Sequence, residues 1–330
     1  MATTSAAPLP ELPDLTGRNA LVTGASDGVG REIARALAAA GAHVILPVRN
    51  RDKGRRAIDD IRRTAPDASL QLRDLDLARL DSVTALAREL NDERTPIHLY
   101  LANAGVVMLG DSERHVTADG FELHFQTNFL GHFALTVGLL PLLQASRART
   151  VMQTSLGAAV CRIHWHDLQL ERRYGALRAY GRSKLALALV GTELARRSAA
   201  DGWGITVAQA HPGIAPGSAI ASDLRRRLPQ GFVHAAATNF GNPLTQAAQP
   251  ALQALTVDAT DATDATDAAD AAHGHFFAPS GLLQMVGAAR RRHPFRRVVN
   301  ADDATRMWTV AEELLRTGAP RGTSGLASSP

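Results

Sequence analysis

Cysteine is almost absent: the 330 residues contain one, Cys161. A lone thiol excludes an intrachain disulfide and cannot build the thiolate cluster of a structural zinc, so a reducing cytoplasm is the expected setting. The opening stretch "MATTSAAPLPELPDLTG" has neither the basic start nor the apolar core of a secretory signal, and its three prolines predict a loose arm over 1–16. Long hydrophobic runs are missing too. The longest, "FLGHFALTVGLLPLL" at 129–143, is interrupted by His132 and is shorter than the roughly 20 residues of a bilayer span, which predicts a buried helix and no membrane partner. Aromatics are sparse at 5%, and the basic run "RRRHPFRR" at 290–297 holds a single one, Phe295, and lacks the interleaved aromatics of a single-strand binding platform. With the other basic residues dispersed, the net charge of +4 predicts a solvated face or a contact to an anionic ligand, and no nucleic-acid partner beyond weak nonspecific binding.

What is present suits a globular chain: 45% of residues are hydrophobic and 21% charged. Apolar, β-branched runs, "NALVTG", "AHVILPV", "SLQLRDLDL", "IHLYLANAG", "TVMQTS" and "ITVAQAHPG", alternate with segments such as "REIARALAAAG" and "SKLALALVGTELARR", whose apolar residues recur at three and four. That alternation predicts a doubly wound α/β domain over 17–318, with helices on both faces of a mostly parallel sheet. "GHFFAP" adds a seventh, edge strand, and "DDATRMWTVAEELLRTG" predicts an N-capped helix stopping at Gly318. Three consecutive DAT copies open an acidic insert at 258–272 with no apolar period, which is expected to be a mobile loop, and 319–330 reads as a disordered tail.

Two stretches carry chemistry. "TGASDGVG", Thr23 to Gly30, lies between a strand and an amphipathic helix, where glycines at 24, 28 and 30 let the backbone approach a diphosphate held at the helix N-terminus. At the end of the next strand, where an acidic residue would accept ribose hydroxyls, "LPVRNRDKG" places Arg49, Asn50 and Arg51; a guanidinium suits a 2′-phosphate, so NADP(H) is preferred and NAD(H) remains possible. The second stretch, "YGRSK", stacks Tyr180 and Lys184 one above the other on one helical face, a geometry for tuning a phenol. "HWHD" at 164–167 lacks a further ligand cluster, and no metal site is expected.

These motifs, with "DLDL", "NAG", "DGFELHFQTNFLGHF", "TS", "WHDLQLERRY" and "HPG" in this order, make the chain resemble a short-chain dehydrogenase/reductase with a Rossmann-type fold, most closely the retinol-dehydrogenase-like branch, over 18–316. The resemblance implies a cofactor site of Thr23, Gly24, Ser26, Asp27, Gly28, Val29, Gly30, Arg49, Asn50, Asp76, Leu77, Asn103, Ala104, Gly105, Tyr180, Lys184, Pro212 and Gly213. It further implies a catalytic set in which Asn128 holds a relay water, Ser155 binds the substrate oxygen, Tyr180 is the acid or base, and Lys184 grips the nicotinamide ribose and lowers the phenol's pKa. Taken singly, Asn128 could bend a helix, Ser155 end a strand and Asp76 cap a helix. Where relatives place Thr or Ser after "HPG", this chain has Gly217 and then Ser218. The expected activity is carbonyl–alcohol interconversion on a small lipophilic molecule, with pocket loops at 160–179 and 214–240 and a homodimer or homotetramer through the helices at 129–143 and 180–197. The alternative is a non-catalytic NADP(H)-sensing regulator on the same fold.

Overall fold

The structure, a computed structural model, describes residues 12–108, 111–216, 241–256 and 274–318. Most of the anticipated arm and of the pocket loop at 214–240, including Gly217 and Ser218, lies outside the described residues, as do the repeat insert at 258–272 and the tail at 319–330.

Strand and helix alternate as the periodicity predicts: β1 (Asn19–Val22), α1 (Gly28–Ala39), β2 (His43–Val48), α2 (Arg51–Arg62), β3 (Leu70–Asp74), α3 (Leu80–Asp92) and β4 (Leu99–Ala102). A short α4 (Leu123–Phe125) runs through a π-helical turn (Gln126–Leu130) into α5 (Gly131–Ala145). Then come β5 (Arg149–Gln153), α6 (Leu156–Val160), α7 (Ala176–Ala200), β6 (Thr206–Ala210), α8 (Leu244–Thr256), β7 (His275–Pro279), β8 (Ala289–Arg291) and α9 (Ala301–Thr317).

The strands form one sheet in the order β3-β2-β1-β4-β5-β6-β7-β8. β1 to β7 are parallel, with Leu21 paired to Ile45 on one side and to Tyr100 on the other; only β8 runs antiparallel, against β7. The sheet thus has eight strands where seven were expected, and "HFFAP" is the penultimate strand. The sequence hid β8 because three residues, two of them arginine, offer no apolar run; Arg290 is exposed on this last strand.

Two apolar cores flank the sheet. One is built with α1, Ile61 of α2 and the alanine-rich side of α8. The other holds α3, α5 and α7, and α9 then lies over α7. Trp308 of α9 meets Phe133 edge-on at 4.9 Å between ring centroids, the Arg197 guanidinium stacks 4.4 Å over its indole, and Thr305 donates to Glu193. α9 is capped by Asn300, whose side chain accepts from Asp303 N, and it stops at Gly318 in a positive-φ conformation.

The segment Leu123–Ala145 is a continuous helix of 23 residues containing an 18-residue window of mean hydropathy 1.3, so by length and composition it could span a bilayer, contrary to the expectation from the uninterrupted run. Its aromatic residues Phe125, Phe129 and Phe133 are buried in the second core, which identifies it as a core helix of the domain.

Candidate active site

The sheet reverses its winding between β1 and β4, and a cleft of about 650 Å³ opens at the carboxyl ends of these strands. Every residue expected to touch the cofactor lines it, from Thr23 to Gly213. At its floor the chain leaves β1 through Gly24 (φ +70°) and enters α1 at Gly28 (φ +53°). A Cβ on Gly30 would sit 2.4 Å from the Gly24 carbonyl oxygen, so this turn accepts no side chain there. Asp27 caps α1, its carboxylate accepting from Gly28 N at 2.7 Å. Thr23 is buried and staples the turn to the next strand: its hydroxyl accepts from Asn103 N at 2.9 Å and Ala104 N at 3.0 Å, while Asn103 Nδ2 donates to Thr23 O at 2.8 Å.

At the end of β2 the cations divide into distinct jobs. Arg51 is committed to a two-armed ion pair with Asp74, both contacts 2.7 Å, and Asn50 caps α2 by accepting from Lys53 N. Arg49 stands exposed on the cleft wall. Lys53, which the sequence reading passed over, also lines the cleft and pairs with Asp27 at 2.7 Å. Partial burial pushes the Asp27 carboxyl up, but the hydrogen bond and charge of Lys53, the Gly28 amide and the Arg31 charge together outweigh it and hold the acid below its ordinary range. Asp76 folds its own loop, its carboxylate accepting from Ala78 N at 3.0 Å; the side chain does not cap α3.

Ser155 follows β5 by two residues and caps α6, accepting from Gly157 N, and shares a hydrogen bond with the Tyr180 hydroxyl. One turn further along α7, Lys184 is buried with its ammonium donating to the Gln153 carbonyl at 2.9 Å. Burial lowers the Lys184 pKa to about 8. Burial also raises that of Tyr180, with the Ser155 hydrogen bond a partial offset. In the chain by itself, desolvation of the phenolate outweighs the Ser155 hydrogen bond, and the hydroxyl keeps its proton at neutral pH.

Asn128 occupies the π turn, is wholly buried and is not among the residues lining the cleft. Its side chain accepts from Val106 N (2.7 Å) and donates to Val106 O (3.0 Å) and Ser183 Oγ (3.0 Å); Ser183 in turn donates to Tyr180 O. Asn128 therefore braces both the loop after β4 and the helix bearing the phenol.

"HPG" is held from a distance by Asn242, another residue the sequence reading missed. Its amide donates to Pro212 O and Met285 O and accepts from Gly287 N, fixing the turn at Gly213. Nothing in the sequence between 214 and 242 signals that clasp. His132 was noticed only as an interruption, although its spacing of four from Asn128 places it on the same helical face; its ring lies 3.0 Å from the Thr23 hydroxyl. In "HWHD", Asp167 serves structure through a bond from Glu171 N, and no group of three metal-ligating side chains occurs among the described residues.

Residues 18–229 match the family model described as short chain dehydrogenase. The chain is 44% identical to mouse retinol dehydrogenase 11 over 200 residues, 60% of this chain and 62% of the relative. It is 41% identical to human retinol dehydrogenase 12 over 61% of this chain and 62% of that protein, and 40% identical to mouse polyprenol dehydrogenase over 62% of each. The match thus spans less than two thirds of these relatives' length. Among solved structures, an uncharacterized protein from Mycobacterium paratuberculosis superposes with a TM-score of 0.73 at 30% identity, covering 96% of this chain and all of that one. RhlG of Pseudomonas aeruginosa, solved as an NADP active-site complex, has a TM-score of 0.58 at 26% identity over 74% of this chain and 91% of its own.

Proposed function

This chain belongs to the short chain dehydrogenase family, and from that premise we propose that it is an NADP(H)-dependent oxidoreductase interconverting a carbonyl and an alcohol on a lipophilic small molecule. The observation that carries this reading is the hydrogen-bonded pair of Ser155 and Tyr180 hydroxyls in the same cleft as the glycine-rich turn, with buried Lys184 one helical turn away.

The residues present fit a dinucleotide. The turn at Gly24 to Gly30 leaves backbone exposed where a side chain would clash, and the N-terminus of α1 offers N–H groups and a positive dipole end to a diphosphate. Arg49 and Lys53 would take a 2′-phosphate, Asp76 and Leu77 the adenine, and Lys184 the nicotinamide ribose. Bound nicotinamide would supply or accept the hydride.

In the reducing direction, Tyr180 would donate its proton to the carbonyl oxygen, and Ser155 would hydrogen-bond that oxygen as charge builds on it. A phenol that burial keeps protonated suits this role. Val107, Met108, Ile214 and Ala215 give the cleft an apolar wall, which supports a lipophilic substrate of the kind for which the retinol and polyprenol dehydrogenases are named. The proposed setting is the reducing cytoplasm, without membrane or nucleic-acid partners. Self-association is proposed to use a surface other than α7, which α9 already encloses.

The test is Tyr180→Phe. It should lower carbonyl reduction by at least about 100-fold while NADPH, followed by fluorescence titration, still binds. Unchanged turnover over a carbonyl panel eliminates Tyr180 as the acid. A wild-type protein that binds NADPH but reduces nothing would favour the sensing role instead.

A further inference from the structure

His132 lies in the first turn of α5, and both nitrogens of its wholly buried ring are engaged. Nδ1 is 3.2 Å from the carbonyl oxygen of Asn128. A carbonyl can only accept, so Nδ1 carries the proton. Nε2 is then an acceptor, and the Thr23 hydroxyl 3.0 Å away donates to it. The remaining bonds of Thr23 agree. Its oxygen accepts from Asn103 N and Ala104 N, leaving its one proton directed at Nε2 and at the Leu101 carbonyl 3.1 Å away. One neutral tautomer satisfies every contact.

From this geometry we infer that His132 is a positioning residue that ties the glycine-rich turn to the Asn128 carbonyl. The inference rests on the cofactor reading above. Thr23 stands at the start of the phosphate cradle, and Asn128 reaches the backbone of Tyr180 through Ser183. The imidazole joins these ends into one unbroken line of hydrogen bonds, from Asn103 and Ala104 through Thr23, His132, Asn128 and Ser183 to Tyr180. Cofactor seated at the turn therefore also fixes the carbonyl and the helix that orient the proton donor. Burial keeps the ring uncharged, with the nearby Lys184 charge adding to the effect.

Amide hydrogen exchange, read by mass spectrometry with and without NADPH, tests the link without depending on turnover. In the wild type, NADPH should slow exchange in the turn at 23–30 and, by about fivefold, in the segment 123–133. His132→Leu should keep the first effect and lose the second, and its kcat should fall about tenfold with little change in the carbonyl KM. His132→Gln retains one donor and one acceptor at similar reach and should restore most of both. Should His132→Leu fail to fold, Thr23→Val cuts the same line from the other end and should uncouple 123–133 in the same way. Undiminished NADPH protection of 123–133 in either folded variant would overturn the inference. A wild-type protein whose turn is indifferent to NADPH would instead overturn the cofactor reading on which it stands.

Discussion

Lys184 is buried and Tyr180 partly so, and desolvation moves their pKa values in opposite senses, the phenol up and the ammonium down to about 8. The same effect acts on two histidines. His132 is held to about 3, by burial and then by the Lys184 charge, and His211 to about 4, by burial. An unfolded imidazole titrates near 6.5. As pH falls from 6.5 toward 4 the unfolded chain takes up protons that the folded one refuses, so each histidine removes up to about 1.4 kcal/mol of stability per pH unit. Urea unfolding midpoints should therefore drop steadily from pH 7 to 4.5, and His211→Phe should flatten that fall. Cofactor choice also belongs at this scale. Arg51 is tied to Asp74, and Arg49 is the guanidinium proposed for a 2′-phosphate. Arg49→Ala should weaken NADPH binding by about tenfold or more in a fluorescence titration and leave NADH nearly unaffected. The motif residues were legible in the sequence because their types and spacing are constrained by the chemistry. Lys53, Asn242 and His132 were not, since each acts through a partner distant in the chain: Asp27 lies 26 residues from Lys53, and Thr23 lies 109 from His132.

Among the elements, the helix through 123–145 departs most from what periodicity could say. The pattern of apolar residues indicates a buried helix but carries no sign of the π turn that sets Asn128 between the loop after β4 and α7. Gly131, the residue after that turn, lets the helix approach the loop at Leu77 so closely that a Cβ would sit 2.5 Å from the Leu77 carbonyl oxygen. Gly131→Ala should cost about 1–3 kcal/mol in chemical denaturation, because backbone on one side must give way. It should also weaken dinucleotide binding, since Leu77 lines the cleft. α8 escaped the sequence reading for another reason. Pro250 interrupts a pattern made mainly of alanine and glutamine, whose buried side meets α1. β8 was missed because its pairing with β7 depends on backbone alone over three residues.

At the scale of the molecule, the doubly wound plan follows from the alternation of strand and helix, whereas the placement of α9 does not. An amphipathic helix at the end of a chain could cover any apolar surface, and only the fold shows that it covers α7. Trp308 is 2% exposed and wedged between Phe133 and Arg197, so Trp308→Ala should cost about 3–5 kcal/mol, measurable in the same denaturation experiment. With α7 enclosed inside one chain, partner subunits meeting through it would first have to displace α9. Light scattering across a concentration series should find either a monomer or an assembly whose mass is unaffected by charge substitutions at the exposed Arg306 and Glu313 of α9.

The short arginine-bearing strand at the sheet's edge has a consequence beyond catalysis. A last strand of three residues gives another chain little backbone to zip onto, and Arg290 adds an exposed charge there. Such a margin is a poor template for fibril-like growth.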